Sequence, residues 1–121
     1  MFIPLKHKSL NVYQDVRALV KEVYKVTNIL PPEEKFNMIP QLRRAALSVK
    51  LNLAEGSTRR SDTERKRYLE ISRGSVVEID AALETAVDLE YCSLNDLKNV
   101  SDLLNKCFAM LSNMITKMSH V

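Results

Sequence analysis

Ten residues near the middle of the chain suggest two different kinds of chemistry. They read Asn52-Leu-Ala-Glu-Gly-Ser-Thr-Arg-Arg-Ser61, with Glu55 before a glycine and two arginines after it. A carboxylate beside arginines can act as a general acid or base, or it can form an ion pair. No second acid or base stands at a recognisable spacing from Glu55. We therefore expect Glu55 to bond to Arg44 or Arg59, with an enzyme that uses Glu55 as the alternative.

The sequence gives no support to other catalytic arrangements. A four-helix bundle can hold a di-iron centre through Glu-x-x-His pairs, but His7 and His120 lie near opposite termini and outside any such pair. No glycine-rich phosphate loop and no nucleophile motif is present. Cys92 and Cys107 form no metal-binding pattern, and we expect buried free thiols in a reducing cytosol. The sequence thus predicts no metal, no cofactor and no enzyme.

Positive charge concentrated in the middle of the chain is the strongest functional signal. Residues 43–73 carry nine Lys/Arg and four Asp/Glu, whereas residues 74–121 carry three and seven. Exposed basic side chains in such a cluster can contact phosphates. The residues expected to do so are Arg43, Lys50, Arg59, Arg60, Arg65, Lys66 and Arg67. A solvated basic face, or one that binds an acidic protein, remains open, because no known nucleic-acid motif accompanies the cluster and Tyr68 is its only aromatic residue.

Apolar residues recur at intervals of three and four along most of the chain, which is typical of amphipathic helices. Four helices are predicted, over residues 10–28, 40–56, 62–91 and 94–118. Pro40 suits the first position of the second helix, and Gly56 suits the left-handed position after its end. Ser61 and Ser93 are the expected N-caps of the third and fourth helices. With short loops, these helices predict one all-α domain over residues 1–121, an up-down four-helix bundle.

The second helix carries more apolar surface than one core face needs. Its core face is Met38, Leu42, Ala45, Ala46, Val49 and Leu53, and a second ridge on another side consists of Leu47, Leu51 and Ala54. A polar stripe lies between them: Gln41, Arg44, Ser48, Asn52 and Glu55. The stripe is either a hydrogen-bonded layer within one bundle or part of a contact with a second subunit. Gly74, inside the third helix, predicts the close approach of another helix, since glycine there costs about 1 kcal/mol relative to alanine.

The same residues resemble a known family. The runs Gln41-Leu-Arg-Arg-Ala45, Ser48-Val49 and Asn52-Leu-Ala-Glu-Gly56, then Arg59, Leu69 and Gly74-Ser75-x-x-Glu78, resemble bacterial four-helix bundle proteins. Those proteins are encoded in intervening sequences of large-subunit ribosomal RNA genes. The chain is also similar to the accessory variability determinant of diversity-generating retroelements. That relative is a basic pentameric bundle that binds a reverse transcriptase and nucleic acid. The resemblance implies a ring-like homopentamer with no established enzymatic activity.

Three positions depart from the family's pattern. Tyr13 stands where tryptophan is usual, Lys50 where proline is usual, and Glu90 where glycine is common near the end of the third helix. No apolar run approaches the ~18 residues that span a bilayer, so we expect a cytoplasmic protein. We expect it to assemble with itself and to bind RNA, DNA or a nucleic-acid enzyme such as a reverse transcriptase. The alternative is a protein scaffold that binds no nucleic acid.

Overall fold

Four long helices make up most of the computed structural model, which describes residues 2–118. They are α1 (Asn11–Thr27), α2 (Met38–Ser57), α3 (Asp62–Asp88) and α4 (Lys98–Met118), with short 3-10 turns at Lys6–Ser9, Pro32–Glu34 and Asn95–Leu97. Consecutive helices pack against each other and α4 packs back on α1. Residues 2–118 contain no strand. The predicted all-α, up-down four-helix bundle is confirmed.

The core is built from one apolar stripe of each helix. Leu19, Leu42, Leu53, Ile79 and Leu111 are the largest of its fully buried side chains. Burial of each such side chain stabilises the fold by about 1.5–3 kcal/mol relative to exposure. The core face predicted for α2 is buried as expected, except that Met38 is only partly covered. Helix α2 begins at Met38 rather than at Pro40, which is its third residue.

The prediction for Gly56 is wrong, although it lies near the predicted end of α2. Gly56 has no positive φ, and α2 continues to Ser57. A Cβ atom at Gly56 would lie 2.8 Å from the Cβ of Tyr68, closer than side chains pack. The glycine therefore allows close approach of α2 and α3 rather than a left-handed turn. The N-cap predicted beyond it is present, since Ser61 Oγ accepts a hydrogen bond from the Glu64 N–H at 3.1 Å.

Helix α3 ends at Asp88, three residues before the predicted end. Glu90 has a φ of 63°, the left-handed conformation that stops the helix. The Glu90 N–H donates to the Val87 carbonyl and the Tyr91 N–H donates to the Ala86 carbonyl, both at 2.9 Å. This pair of bonds is a Schellman motif, which is usually built around glycine. Glu90, which stands where the family commonly has glycine, is thus the residue that adopts positive φ.

Helix α4 begins later than predicted, at Lys98, after a 3-10 turn. Ser93 nevertheless acts as a cap, since its Oγ accepts from the Asp96 N–H at 3.2 Å and its N–H donates to Asp96 Oδ2 at 2.9 Å. Cys92 is half-buried in the turn rather than in a helix, while Cys107 is buried in α4. Burial raises the pKa of the Cys107 thiol to about 12.

The close approach predicted at Gly74 is absent within the chain. Gly74 is exposed on α3, and no atom of the described chain lies within 4 Å of a Cβ built there. Gly74 lowers the stability of α3, and no contact inside the bundle compensates for this loss. None of the described helices combines the length and the apolar character needed to cross a membrane.

Candidate nucleic-acid and subunit interfaces

Two of the predicted phosphate-binding arginines hold the turn between α2 and α3 together. Arg65 Nε donates to the Arg59 carbonyl at 2.7 Å, and Arg65 Nη1 lies 3.0 Å from Asp62 Oδ1. The Arg59 guanidinium lies over the ring of Tyr68 at 4.8 Å and bonds to Glu55 Oε2 at 3.3 Å. Because Tyr68 also packs against Gly56, this turn is one packed unit. The carboxylate of Glu55, the candidate acid or base, is exposed and paired with Arg59, as expected from the sequence.

Three other cations of the cluster lie beside this turn with their charges unpaired. Arg60 and Arg67 are exposed and Lys66 is half-buried. None of the three side chains makes a hydrogen bond or an ion pair with residues 2–118. Lys6 is exposed just before α1, at the end of the bundle where α2 finishes and α3 starts. We call Lys6, Arg60, Lys66 and Arg67 the basic end.

Arg43 and Lys50 lie on the side of α2 that faces α1. Arg43 Nε donates to Thr27 Oγ1 at 2.9 Å, and its guanidinium lies 4.7 Å from the ring centre of Tyr24. Lys50 Nζ lies 5.9 Å from the ring centre of Tyr13. The structure therefore places Arg43 away from the basic end, whereas Lys50 lies over Tyr13, whose ring meets His7 next to Lys6. It also brings together Tyr13 and Lys50, two of the positions that depart from the family's pattern.

Two members of the polar stripe of α2, Ser48 and Gln41, bond to α3 of the same chain, whereas Asn52 bonds to Ser48 within α2. Ser75 Oγ donates to Ser48 Oγ at 2.7 Å, and Asn52 Nδ2 donates to the Ser48 carbonyl at 2.9 Å. Gln41 Nε2 donates to Glu78 Oε1 at 3.0 Å. Ser48 and Asn52 are half-buried, whereas the other members of the stripe, Gln41, Arg44 and Glu55, are exposed. The middle of the stripe is thus a hydrogen-bonded layer between two helices of one bundle.

The second apolar ridge of α2 is only partly covered within the chain. Leu47 is 39% exposed and Leu51 58% exposed, and Ala54 is half-buried beside them. We call Leu47, Leu51 and Ala54 the α2 ridge. Leucines exposed in a row on one helix are unusual away from a contact surface. Arg44 flanks the ridge, exposed and without an ion pair among residues 2–118.

Residues 2–118 contain no group of three or more His, Cys, Asp or Glu side chains that could hold a metal ion. His120 lies outside the described residues. His7 is buried and meets the edge of the Tyr13 ring at a centroid distance of 4.9 Å. Burial lowers the pKa of His7, with the nearby Lys8 charge as a second cause.

Comparisons with known proteins agree with this fold. The family model described as "23S rRNA-intervening sequence protein" matches residues 8–113. A solved structure from Bacteroides thetaiotaomicron VPI-5482, described as a protein with unknown function from the S23 ribosomal protein family, is similar with a TM-score of 0.78. It is 20% identical, and the match covers 86% of this chain and 97% of that chain. No curated protein matches. The match to the family model over most of its length shows that the chain belongs to the 23S rRNA-intervening sequence protein family.

Proposed function

We propose that this protein is a non-enzymatic, cytoplasmic bundle that assembles through the α2 ridge, as a homopentameric ring, and binds nucleic acid through its basic end. One observation carries the nucleic-acid part of the proposal. Arg59 and Arg65 are fixed in the α2–α3 turn by side-chain bonds, while Arg60, Lys66 and Arg67 beside them keep their charges unpaired. A rigid turn that presents unpaired cations suits phosphate contacts, which position a nucleic acid without reading its sequence.

The way the turn is packed also defines the expected mode of binding. Proteins that bind single strands commonly stack bases on aromatic rings. Here the Arg59 guanidinium covers the ring of Tyr68, the one aromatic residue of the cluster. We therefore expect binding dominated by phosphate contacts, with little preference for sequence and a strong dependence on salt.

A salt series tests this proposal. The affinity of the wild type for a fluorescent RNA is measured from low to physiological salt, beside a variant with Arg60, Lys66 and Arg67 all changed to Ala. If each of the three contacts a phosphate, the slope of log affinity against log salt falls in magnitude by about 2–3. The matched control changes the exposed Lys21, Lys35 and Lys106 to Ala, with the same loss of charge and an unchanged slope expected. Absence of binding to RNA and DNA even at low salt would overturn the proposal.

The assembly part of the proposal has its own measurement. Burying Leu47 and Leu51 against another copy would remove the largest exposed side chains of the α2 ridge from water, which favours association. Sedimentation velocity at micromolar concentration should give a species five times the mass of the chain. Leu51→Glu, which places a charge on the ridge, should dissociate it. A monomeric wild type under these conditions would refute the assembly.

A second candidate function is a scaffold whose basic end binds an acidic protein surface, such as one on a reverse transcriptase. The covered ring of Tyr68 favours this alternative, because the chain then offers no free aromatic platform in the cluster for bases. The two functions differ in one experiment. Proteins and nucleic acids that co-purify with the native protein are identified before and after nuclease treatment. A scaffold retains its protein partner after the treatment and carries no protected nucleic acid.

A further inference from the structure

We propose that the α2 ridge of one copy packs into a groove between α3 and α4 of the next copy. This deepens the assembly part of the proposed function and depends on it, because it names the surface that receives the ridge. The groove consists of two adjoining depressions of about 310 Å³ and 720 Å³. Both are lined by Asp80 and Leu104, and we call them together the α3/α4 groove.

The α3/α4 groove offers the apolar surface that the ridge lacks. Val77 is 51% exposed and Phe108 is 44% exposed, and both line the smaller depression. Buried Val76 and Leu104 line it beneath them. The groove is thus concave and apolar, whereas the α2 ridge is convex and apolar. Packing one into the other removes both from water.

The Leu47 end of the ridge and the smaller depression of the groove lie at similar levels along the bundle. Ser72 Oγ donates to the Val49 carbonyl at 2.7 Å, so the middle of the ridge lies level with Ser72. Arg73 Nη1 donates to Ser112 Oγ at 3.1 Å, which puts Ser112 at that level on α4. Val77 and Phe108 each lie four residues from this pair, about 6 Å towards the other end of the bundle. Copies related by rotation about an axis along the bundles keep their levels, so the Leu47 end of the ridge meets the smaller depression, whereas the larger depression lies further towards the C-terminal end of α3.

The ridge and the groove also carry opposite charges where they would meet. Arg44 flanks the ridge and Asp80 lines the groove, and both are exposed with no ion pair among residues 2–118. The bond from Gln41 to Glu78 places this part of α2 beside the stretch of α3 that leads to Asp80. Glu84, Asp88 and Asp102 line the larger depression, further along the bundle, beside the single cation of Lys98. Arg44 of one copy therefore finds a carboxylate where the neighbour's groove begins.

The two surfaces are different patches, so the contact is heterologous. Each copy gives its ridge to one neighbour and receives the ridge of another, which generates a ring when the rotation closes. A ring with an odd number of copies requires a contact of this kind. The ridge lies on α2 and the groove between α3 and α4, so the two surfaces are separate and one copy can contact two neighbours at once.

A charge exchange between the two surfaces tests the contact. Arg44→Glu and Asp80→Arg should each weaken assembly about tenfold, and the two changes combined should restore most of the loss, since the pair then has reversed but opposite charges. Lys21→Glu and Glu33→Arg are the matched controls, with the same changes of charge at exposed positions outside both surfaces. Assembly is measured by sedimentation, and circular dichroism verifies that each variant is folded. Failure of the combined variant to recover would overturn the pairing.

A cross-link distinguishes this inference from the proposed function itself. A photoreactive benzoylphenylalanine replaces Leu51, and isotope-labelled and unlabelled copies are mixed so that links between copies are recognised by mass. We expect links to residues 76–108 of another copy. Links to a different surface, with Leu51→Glu still dissociating the assembly, would overturn the α3/α4 groove and leave assembly through the ridge intact. If Leu51→Glu leaves the assembly unchanged, both are wrong.

Discussion

The two turns that begin and end α3 are built in different ways. The α2–α3 turn is short, spans residues 58–61, and is held by side chains, chiefly those of Arg59 and Arg65. The α3–α4 turn is longer and is held by backbone bonds around Glu90 and by the reciprocal bonds of Ser93 and Asp96. One turn is basic and closely packed against a glycine, whereas the other is acidic and contains a strained residue.

The two turns therefore relate to function in different ways. At the α2–α3 turn the arginines that complete the fold lie next to arginines whose charges are unpaired among residues 2–118, so the fold and the proposed binding would use the same residue type. At the α3–α4 turn, Asp96 caps the backbone instead. We therefore expect substitutions in the first turn to affect stability and binding together, and substitutions in the second to affect stability alone.

The largest effect should come from Gly56, because it decides how closely α2 meets α3. Gly56→Ala places a methyl group 2.8 Å from Tyr68 Cβ, and overpacking of this kind should lower the free energy of unfolding by about 2 kcal/mol. Gly74→Ala is the matched control and should raise it by about 1 kcal/mol, since nothing lies near that position within the chain. Urea denaturation measures both. Equal effects at the two glycines would contradict the close approach at Gly56.

A smaller effect of opposite sign is expected at Glu90 in the second turn. Its φ of 63° is unfavourable for any residue with a Cβ atom, so Glu90→Gly should raise the free energy of unfolding by about 1 kcal/mol. Glu90→Ala keeps the Cβ atom and removes the carboxylate, and should change it little. Thermal denaturation followed by circular dichroism compares the three proteins. A loss of stability in Glu90→Gly would mean that the carboxylate makes a favourable interaction that outweighs the strain.

The smallest expected effect is on the loss of stability at acidic pH. Hydrogen bonds from the backbone N–H of Ser93, and then from its hydroxyl, hold the pKa of Asp96 below its usual range. A lowered carboxyl pKa adds stability above the unfolded pKa of about 3.9, and this contribution is lost as pH falls through the folded pKa. The urea midpoint of the wild type should therefore fall more between pH 6 and pH 3 than that of Asp96→Asn. Asp102→Asn, which removes another exposed carboxylate, should behave as the wild type does; an equal response in both variants would argue against the cap.

Much of the fold was predictable because apolar spacing along α1 to α4 reports directly which face of each helix is buried. The ends of the helices were harder to predict from the sequence. Glutamate itself does not indicate a left-handed residue, so the apolar spacing predicts a third helix to Tyr91, beyond its end at Asp88; only the family's usual glycine at position 90 indicates the earlier end. The two glycines show the same limit, because only the packing of α2 on α3 decides that Gly56 is enclosed and Gly74 is open.

The candidate site was predictable in composition but not in arrangement. The sequence identified the basic cluster and the polar stripe, but of the stripe, which was expected to be half-buried throughout, only Ser48 and Asn52 are half-buried. It did not show which arginines are occupied, because Arg43 meets Tyr24 and Arg59 meets Tyr68 only through contacts between helices. The partner of Ser48, which is Ser75 on α3, likewise depends on how the helices are aligned.

The unequal ends of the bundle give the chain an electric dipole along its long axis. Lys6, Arg60 and Lys66 lie at one end, and Asp88, Glu90 and Asp96 lie at the other. In any ring made by rotation about an axis parallel to the bundles, these dipoles add instead of cancelling. Such a ring has one positive rim and one negative rim, so it meets a polyanion with one side only, and two rings attract each other rim to opposite rim when salt is low.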